Sequence, residues 1–211
     1  MIKKNNFNIA IVGLGNIGLN LFKHLNQNKK SIIEKNNINF EVKYVSAKNK
    51  NKKRKISIPK SKWLSHYLQA STLKDIDIVV ELIGGSEGPA KKLVFNSIKN
   101  KKHVITANKS LISKHGNELS KLAEKNKVNL EFEAAVAGGV PIIRVIKEGL
   151  ITNTINKIYG ILNGTSNYIL SKMSETKLNF NDVLKNAKNL GYAESNPKTD
   201  LNGDDAKSKI Q

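Results

Sequence analysis

The run Gly13-Leu14-Gly15-Asn16-Ile17-Gly18 constrains this chain more than any other feature, because of what stands on either side of it. Before it, Phe7 to Val12 is a short apolar run ending at a glycine, the pattern of a buried parallel strand. After it, Ile17, Leu21, Phe22 and Leu25 recur at helical spacing, and the helix gives way to polar sequence around Asn26 to Lys30. Phe40 to Ala47 then reads as a second strand. G-x-G-x-x-G alone is a weak signal. Between a strand and a helix, with another strand following, it is the setting in which Gly13 permits a tight turn, Gly15 lets a pyrophosphate approach the backbone and Gly18 allows close packing. Asn16 and Ile17 open the helix, whose unpaired amides would face the phosphates.

The rest of the chain continues the alternation. Trp63 to Leu68 is expected as a short helical insertion and Ile76 to Leu82 as a third strand. A helix over Pro89 to Ile98 has its proline near the first turn, His103 to Thr106 is a fourth strand, Leu111 to Asn126 a helix and Leu130 to Ala134 a fifth strand. Strands alternating with helices imply a Rossmann-type α/β fold, a parallel sheet with helices on both faces. The texture changes after Pro141: a helical pattern over Ile142 to Leu150, a strand over Ile155 to Leu162, and helices at Tyr168 to Met173 and Phe180 to Leu190. This reads as the start of an α+β substrate and dimerisation domain, residues 137–211 following a nucleotide-binding domain of residues 1–136.

Composition excludes several classes. No run approaches the roughly 18 apolar residues of a membrane span, and the Lys/Asn-rich start is not a signal peptide, so a cytoplasmic protein is expected. The chain has no cysteine, which removes disulfides, thiolate nucleophiles and Cys-based metal sites. A net charge of +19 invites a nucleic-acid reading. The lysines, however, are interleaved with asparagines, the one dense cluster is Lys48 to Lys55, and no zinc-finger or RNP-type signature is present, so nucleic acid is not the expected ligand. That cluster follows the second strand, where NAD-specific sites place an acidic ribose ligand; here the strand runs into Ser46, Ala47 and Lys48, with Arg54 beyond. A cationic end suits the 2′-phosphate of NADP, with NAD the alternative; a merely solvated loop is the bland reading. The four histidines have no metal-like spacing and read as structural or exposed.

Specific recognition comes from longer segments. These are Thr106-Ala107-Asn108-Lys109, then Phe132 to Ile143 (Phe-Glu-Ala-Ala-Val-Ala-Gly-Gly-Val-Pro-Ile-Ile), then Gly160 to Leu170 (Gly-Ile-Leu-Asn-Gly-Thr-Ser-Asn-Tyr-Ile-Leu), then Leu190-Gly191-Tyr192-Ala193-Glu194 and Asp200-Leu201-Asn202-Gly203-Asp204-Asp205-Ala206 with Lys209. In order and spacing the chain resembles homoserine dehydrogenases over nearly its whole length.

The resemblance implies hydride transfer between a nicotinamide and the carbon that joins L-homoserine to L-aspartate 4-semialdehyde, on the route to threonine, methionine and isoleucine. By similarity Lys209 is the proton donor to the developing alkoxide and Asp205 its neighbour. Glu194 and Asp200 would hold the substrate, joined by Lys109 and by the turn Asn163-Gly164-Thr165. The cofactor residues would be Gly13, Gly15, Asn16, Ile17, Gly18, Lys48, Asn108, Lys109 and Gly191. In the resembling family carbonyls of a loop like that from Glu133 to Val140 hold a monovalent cation such as sodium, and Glu133, Val136, Gly138 and Val140 match those positions. A homodimer is expected of the full-length protein. Members of the family continue well beyond this lysine, whereas the chain stops two residues after it, which puts the activity of these residues alone in doubt. Aspartate semialdehyde dehydrogenase chemistry needs a thiolate that the chain lacks. A nucleotide- or polyanion-binding module without catalysis is the remaining rival.

Overall fold

The computed structural model describes residues 5–194 and 196–211, and the first residues of the polar start lie outside them. The chain divides into two compact units, Met1–Ile143 and Arg144–Gln211.

The first unit is built on a parallel five-stranded sheet: β1 (Asn6–Val12), β2 (Asn39–Ser46), β3 (Ile78–Glu81), β4 (His103–Thr106) and β5 (Leu130–Glu131), in the order β2-β1-β3-β4-β5. Between them lie α1 (Asn16–Gln27), α2 (Lys29–Asn36), α3 (Gln69–Thr72), α4 (Pro89–Lys99) and α5 (Lys109–Asn126). Alternation along β1 explains the layering, since successive side chains point to opposite faces. Ile9 and Ile11 pack with Phe22 of α1, while Ala10 and Val12 pack with Ala70 of α3 and Leu93 of α4. Leu111, Leu119 and Ala123 of α5 join Val94, Ile98 and Val104 in a further cluster. Helices therefore cover both faces of the sheet. An exposed clamp ties α4 to α5: Glu87, just ahead of α4, meets Lys114 at 2.7 Å, His115 at 2.9 Å and Lys91 at 3.1 Å. Those partners, Lys114 first, push the Glu87 carboxyl down to about 2.

Three expectations fail here. The polar stretch after α1 forms α2, a helix with no buried residue, which apolar periodicity could not reveal. Trp63 to Leu68 is not helical: Trp63 bridges to Val45 beside β2, and the short helix begins at Gln69. The fifth strand ends at Glu131, and residues 133–135 wind into a 3-10 turn.

The second unit follows the short α6 (Ile142–Arg144), which continues as a π-turn to Gly149. It contains α7 (Gly164–Thr176), α8 (Phe180–Asn189), α9 (Lys198–Leu201) and α10 (Asp204–Ile210). Its core is small: Ile169 of α7 meets Val183 and Ala187 of α8, with Ala193 beyond. The strand expected over Ile155 to Leu162 forms no ladder among the described residues, and residues 151–161 are exposed. Ile155, Ile158, Tyr159 and Ile161 are residue types that favour strands, but among the described residues of the unit no other strand pairs with them.

Candidate active site

In the first unit the chain turns from β1 into α1 through the glycine run, and each glycine meets a different demand. Gly13 has φ +110°, and a Cβ there would meet the Leu82 carbonyl oxygen at 2.3 Å; its N–H donates to the Ser46 carbonyl. A Cβ on Gly18 would meet the Gly13 carbonyl oxygen at 2.0 Å. Gly15 is the opposite case: nothing lies within 4 Å of a Cβ added there. Packing does not require a glycine at that position, so the open space is what a close-approaching ligand would use. Gly15 is also the N-cap of α1 and no side chain caps the helix, which leaves its first amides for an anion, with Asn16 and Ile17 exposed beside them. β2 lies on one side of β1 and β3 on the other, so the chain reverses direction across the sheet here, where open α/β sheets bind ligands. These features fit a dinucleotide pyrophosphate.

Lys48 is exposed just past β2. Arg54 is spent on its own loop: its guanidinium donates to the carbonyls of Asn49, Lys50 and Lys52 and lies 5.0 Å from the Trp63 ring. Past β4, Asn108 is buried; its Oδ1 caps α5 by accepting from Leu111 N–H, and its Nδ2 donates to the Gly85 carbonyl. Lys109 is the first residue of α5 and half-buried.

Glu133 accepts the Ile143 N–H at 3.1 Å, and the Val140 carbonyl accepts the Ile142 N–H at 2.8 Å. Each of these oxygens keeps lone-pair capacity, and Val136 and Gly138 add further carbonyls, so the donor set remains chemically suited to a hard cation. Among the described residues no group of three or more His, Cys, Asp or Glu could hold a metal ion.

The second unit carries a tight polar network. Asp205 and Lys209 lie one turn apart on α10, and the Lys209 ammonium donates to Asp205 Oδ2 at 2.6 Å, with side-chain exposures of 15% and 22%. A second hydrogen goes to the Leu162 carbonyl at 2.6 Å. An ammonium has three hydrogens, and one is left for a ligand. Asn163 is the hub: its Oδ1 caps α7 by accepting from Ser166 N–H, and its Nδ2 donates at 2.8 Å to both Asp200 and Asp205. Both amide hydrogens are thereby committed, so Asn163 acts on the two carboxylates. The Thr165 hydroxyl donates to the Tyr192 carbonyl at 2.7 Å, and Tyr192 stacks on Tyr168. Gly164 begins α7 with open space around it. Gly191 has φ +78° and ends α8, its N–H donating to Lys188, which is the ordinary task of a glycine past a helix. Glu194 is exposed.

The structure brings Asn163, Asp200, Asp205 and Lys209, four of the residues singled out in the sequence, into one hydrogen-bonded group, and the sequence did not show that Asn163 would join the carboxylates to one another. It also missed Glu81, a fully buried acid at the end of β3. The available signal was an acidic residue inside an apolar run just before Gly84-Gly85. A cleft lined by Phe95, Lys99, Glu118, Lys121, Leu122 and Lys125, between α4 and α5, includes none of the residues above.

Comparison with known proteins agrees with this division. Residues 13–133 match the family model "Homoserine dehydrogenase, NAD binding domain", and residues 141–211 match the model "Homoserine dehydrogenase". A homoserine dehydrogenase of Neisseria gonorrhoeae is 44% identical over 203 residues, covering 96% of this chain and 46% of the relative. The crystal structure of a homoserine dehydrogenase from Thiobacillus denitrificans matches with a TM-score of 0.83 at 40% identity, covering 97% of this chain and 47% of that one. A hyperthermophilic archaeal homoserine dehydrogenase in complex with NADPH matches with a TM-score of 0.74 at 25% identity, covering 97% of this chain and 67% of that one. The chain spans about half the length of the curated relatives it matches.

Proposed function

Because the chain belongs to the homoserine dehydrogenase family, oxidoreductases with an NAD-binding domain, we propose that it interconverts L-homoserine and L-aspartate 4-semialdehyde. The observation that carries this is the Lys209 ammonium, fixed by Asp205 and the Leu162 carbonyl with one hydrogen left over. A nicotinamide, when bound, would supply or accept the hydride at the substrate C4. In aldehyde reduction Lys209 gives a proton to the oxygen that becomes the hydroxyl; in alcohol oxidation it takes that proton back. Asp205 holds the ammonium in place, and Asn163 holds Asp205. Within the second unit, Asp200 and the exposed Glu194 offer carboxylates to the substrate's α-ammonium, with Thr165 beside Asp200, and Lys109 of the first unit is a further proposed substrate residue.

The dinucleotide is held by Gly13, Gly15, Asn16, Ile17 and Gly18, with Asn108 shaping the loop past β4. NADP is the proposed form: Lys48 is the exposed cation nearest the end of β2, where NAD-specific sites carry an acid. A monovalent cation on the oxygens of Glu133, Val136, Gly138 and Val140 would brace that loop, and no proton or hydride moves through it. The same reading places the whole protein in the cytoplasm as a homodimer, serving threonine, methionine and isoleucine synthesis.

The test is absorbance of the reduced nicotinamide when the whole protein meets homoserine with NADP or with NAD. Turnover that is faster with NADP supports the reading. A folded protein that binds the dinucleotide yet leaves homoserine untouched refutes it, and equal use of NAD removes the assignment of Lys48.

A further inference from the structure

No step above uses Glu81, yet its carboxylate is fully buried at the last residue of β3. Burying a carboxylate is costly unless hydrogen bonds satisfy it, and here they do. Oε1 accepts the backbone N–H groups of Ile83 at 2.7 Å and Gly84 at 3.0 Å, and Oε2 accepts the Thr106 hydroxyl at 2.6 Å. Thr106 is the register partner of Glu81 across the β3–β4 ladder, and its oxygen in turn accepts the Asn108 N–H at 3.0 Å. Asn108 completes the circuit by donating to the Gly85 carbonyl at 2.7 Å. One buried acid therefore ties together the two loops that leave β3 and β4 at the same end of the sheet as the Gly13 turn. The first of these loops starts at Leu82, whose N–H donates to Val12 and whose carbonyl faces Gly13. The second ends at Lys109, at the start of the helix that Asn108 caps.

An apolar residue would fill this place in a buried strand without a desolvation cost. What the acid adds is a fixed path for residues 83–85 and a fixed hydroxyl direction at Thr106. The strand order says which part of a ligand would notice. With the adenosine half over β2 and its lysines, a dinucleotide crossing the switch point at β1 lays its nicotinamide half toward β3 and β4.

We infer that Glu81 is a positioning residue for the nicotinamide half of the dinucleotide, setting the β3 and β4 loops and the start of α5 without touching the ligand. This rests on the first unit being a dinucleotide site.

The test compares wild-type whole protein with Glu81→Gln by calorimetric titration of NADPH and, separately, of adenosine 2′,5′-bisphosphate, which lacks the nicotinamide half. Glutamine keeps the shape and one accepting oxygen but presents an N–H to Thr106 where an acceptor stood. The expected result is about tenfold weaker binding of NADPH, with binding of the bisphosphate within about twofold of wild type. Thr106→Val should reproduce that split, and the double variant should lose less than the two single losses combined. If Glu81→Gln does not fold, Thr106→Val carries the same comparison. Unchanged NADPH affinity overturns the inference, as do equal losses for both ligands, which would mark a residue that only maintains the fold. A wild-type protein that binds neither ligand refutes the dinucleotide reading, and the inference with it.

Discussion

In the first unit the buried polar groups of Glu81, Thr106 and Asn108 sit inside an apolar frame, whereas in the second the polar groups of Asn163, Asp200, Asp205 and Lys209 hold one another over a small core. Among the described residues, the buried hydrophobics of the second unit are Ile169, Val183, Ala187 and Ala193; the rest belong to the first. Several large apolar side chains of the second unit stand in solvent, Ile161 at 78% and Ile151 at 77%. The contrast shows two ways to fix a functional group. A strand end inside a packed sheet is located by many small dispersion contacts, so its hydrogen bonds only refine it. α10, beside a small core in this stretch of the chain, is located chiefly by the hydrogen bonds themselves.

The first unit should accordingly break at its core. Leu93 is fully buried between α4 and the Ala10/Val12 face of β1, so Leu93→Ala should cost about 2–5 kcal/mol in denaturant unfolding. A cost well below 1 kcal/mol would mean that this layer is loosely packed and the contrast overstated.

The second unit should break at its hub. Asn163→Ala strips a shared donor from Asp200 and Asp205 and the cap from α7, a loss of about 1–3 kcal/mol in transition-state stabilisation, read as a fall in kcat. Dinucleotide affinity should not change. An effect confined to thermal stability would make Asn163 a helix cap and nothing more.

These two expectations follow from features of unequal legibility in the sequence. The β1–turn–α1 unit was readable because apolar period, glycine spacing and helix start agree over one short stretch. The Asp205–Lys209 pair was readable through the family resemblance, with the four-residue spacing placing both on one side of a helix. Asn163 was readable only as part of a turn, because its partners lie 37 and 42 residues away and nothing local marks them. α2 was hidden because Ile32 and Ile33 are its only large apolar residues and neither is buried. The Ile155 to Leu162 run shows the reverse error: its β-branched and aromatic residues suited a strand, but a strand is completed by a neighbour that local sequence cannot supply.

The smallest effect belongs to the surface clamp. Glu87 is held at about 2 by Lys114, His115 and Lys91, against 4.5 ordinarily, so the stability it contributes is present above pH 4.5 and is lost as pH falls toward about 2. Glu87→Gln should lower Tm slightly at neutral pH, and the gap from wild type should close across that acid window. A gap that persists at pH 2 would assign the effect to packing instead of charge.

The proposed division of labour has Lys209 move the proton while the first unit holds the dinucleotide. It is tested most directly by measuring kcat for homoserine oxidation and the Kd for NADPH in the Lys209→Ala variant of the whole protein. The expected result is a kcat lower by about 100- to 10,000-fold with an unaltered Kd. Turnover close to wild type would contradict it and place the proton donor elsewhere.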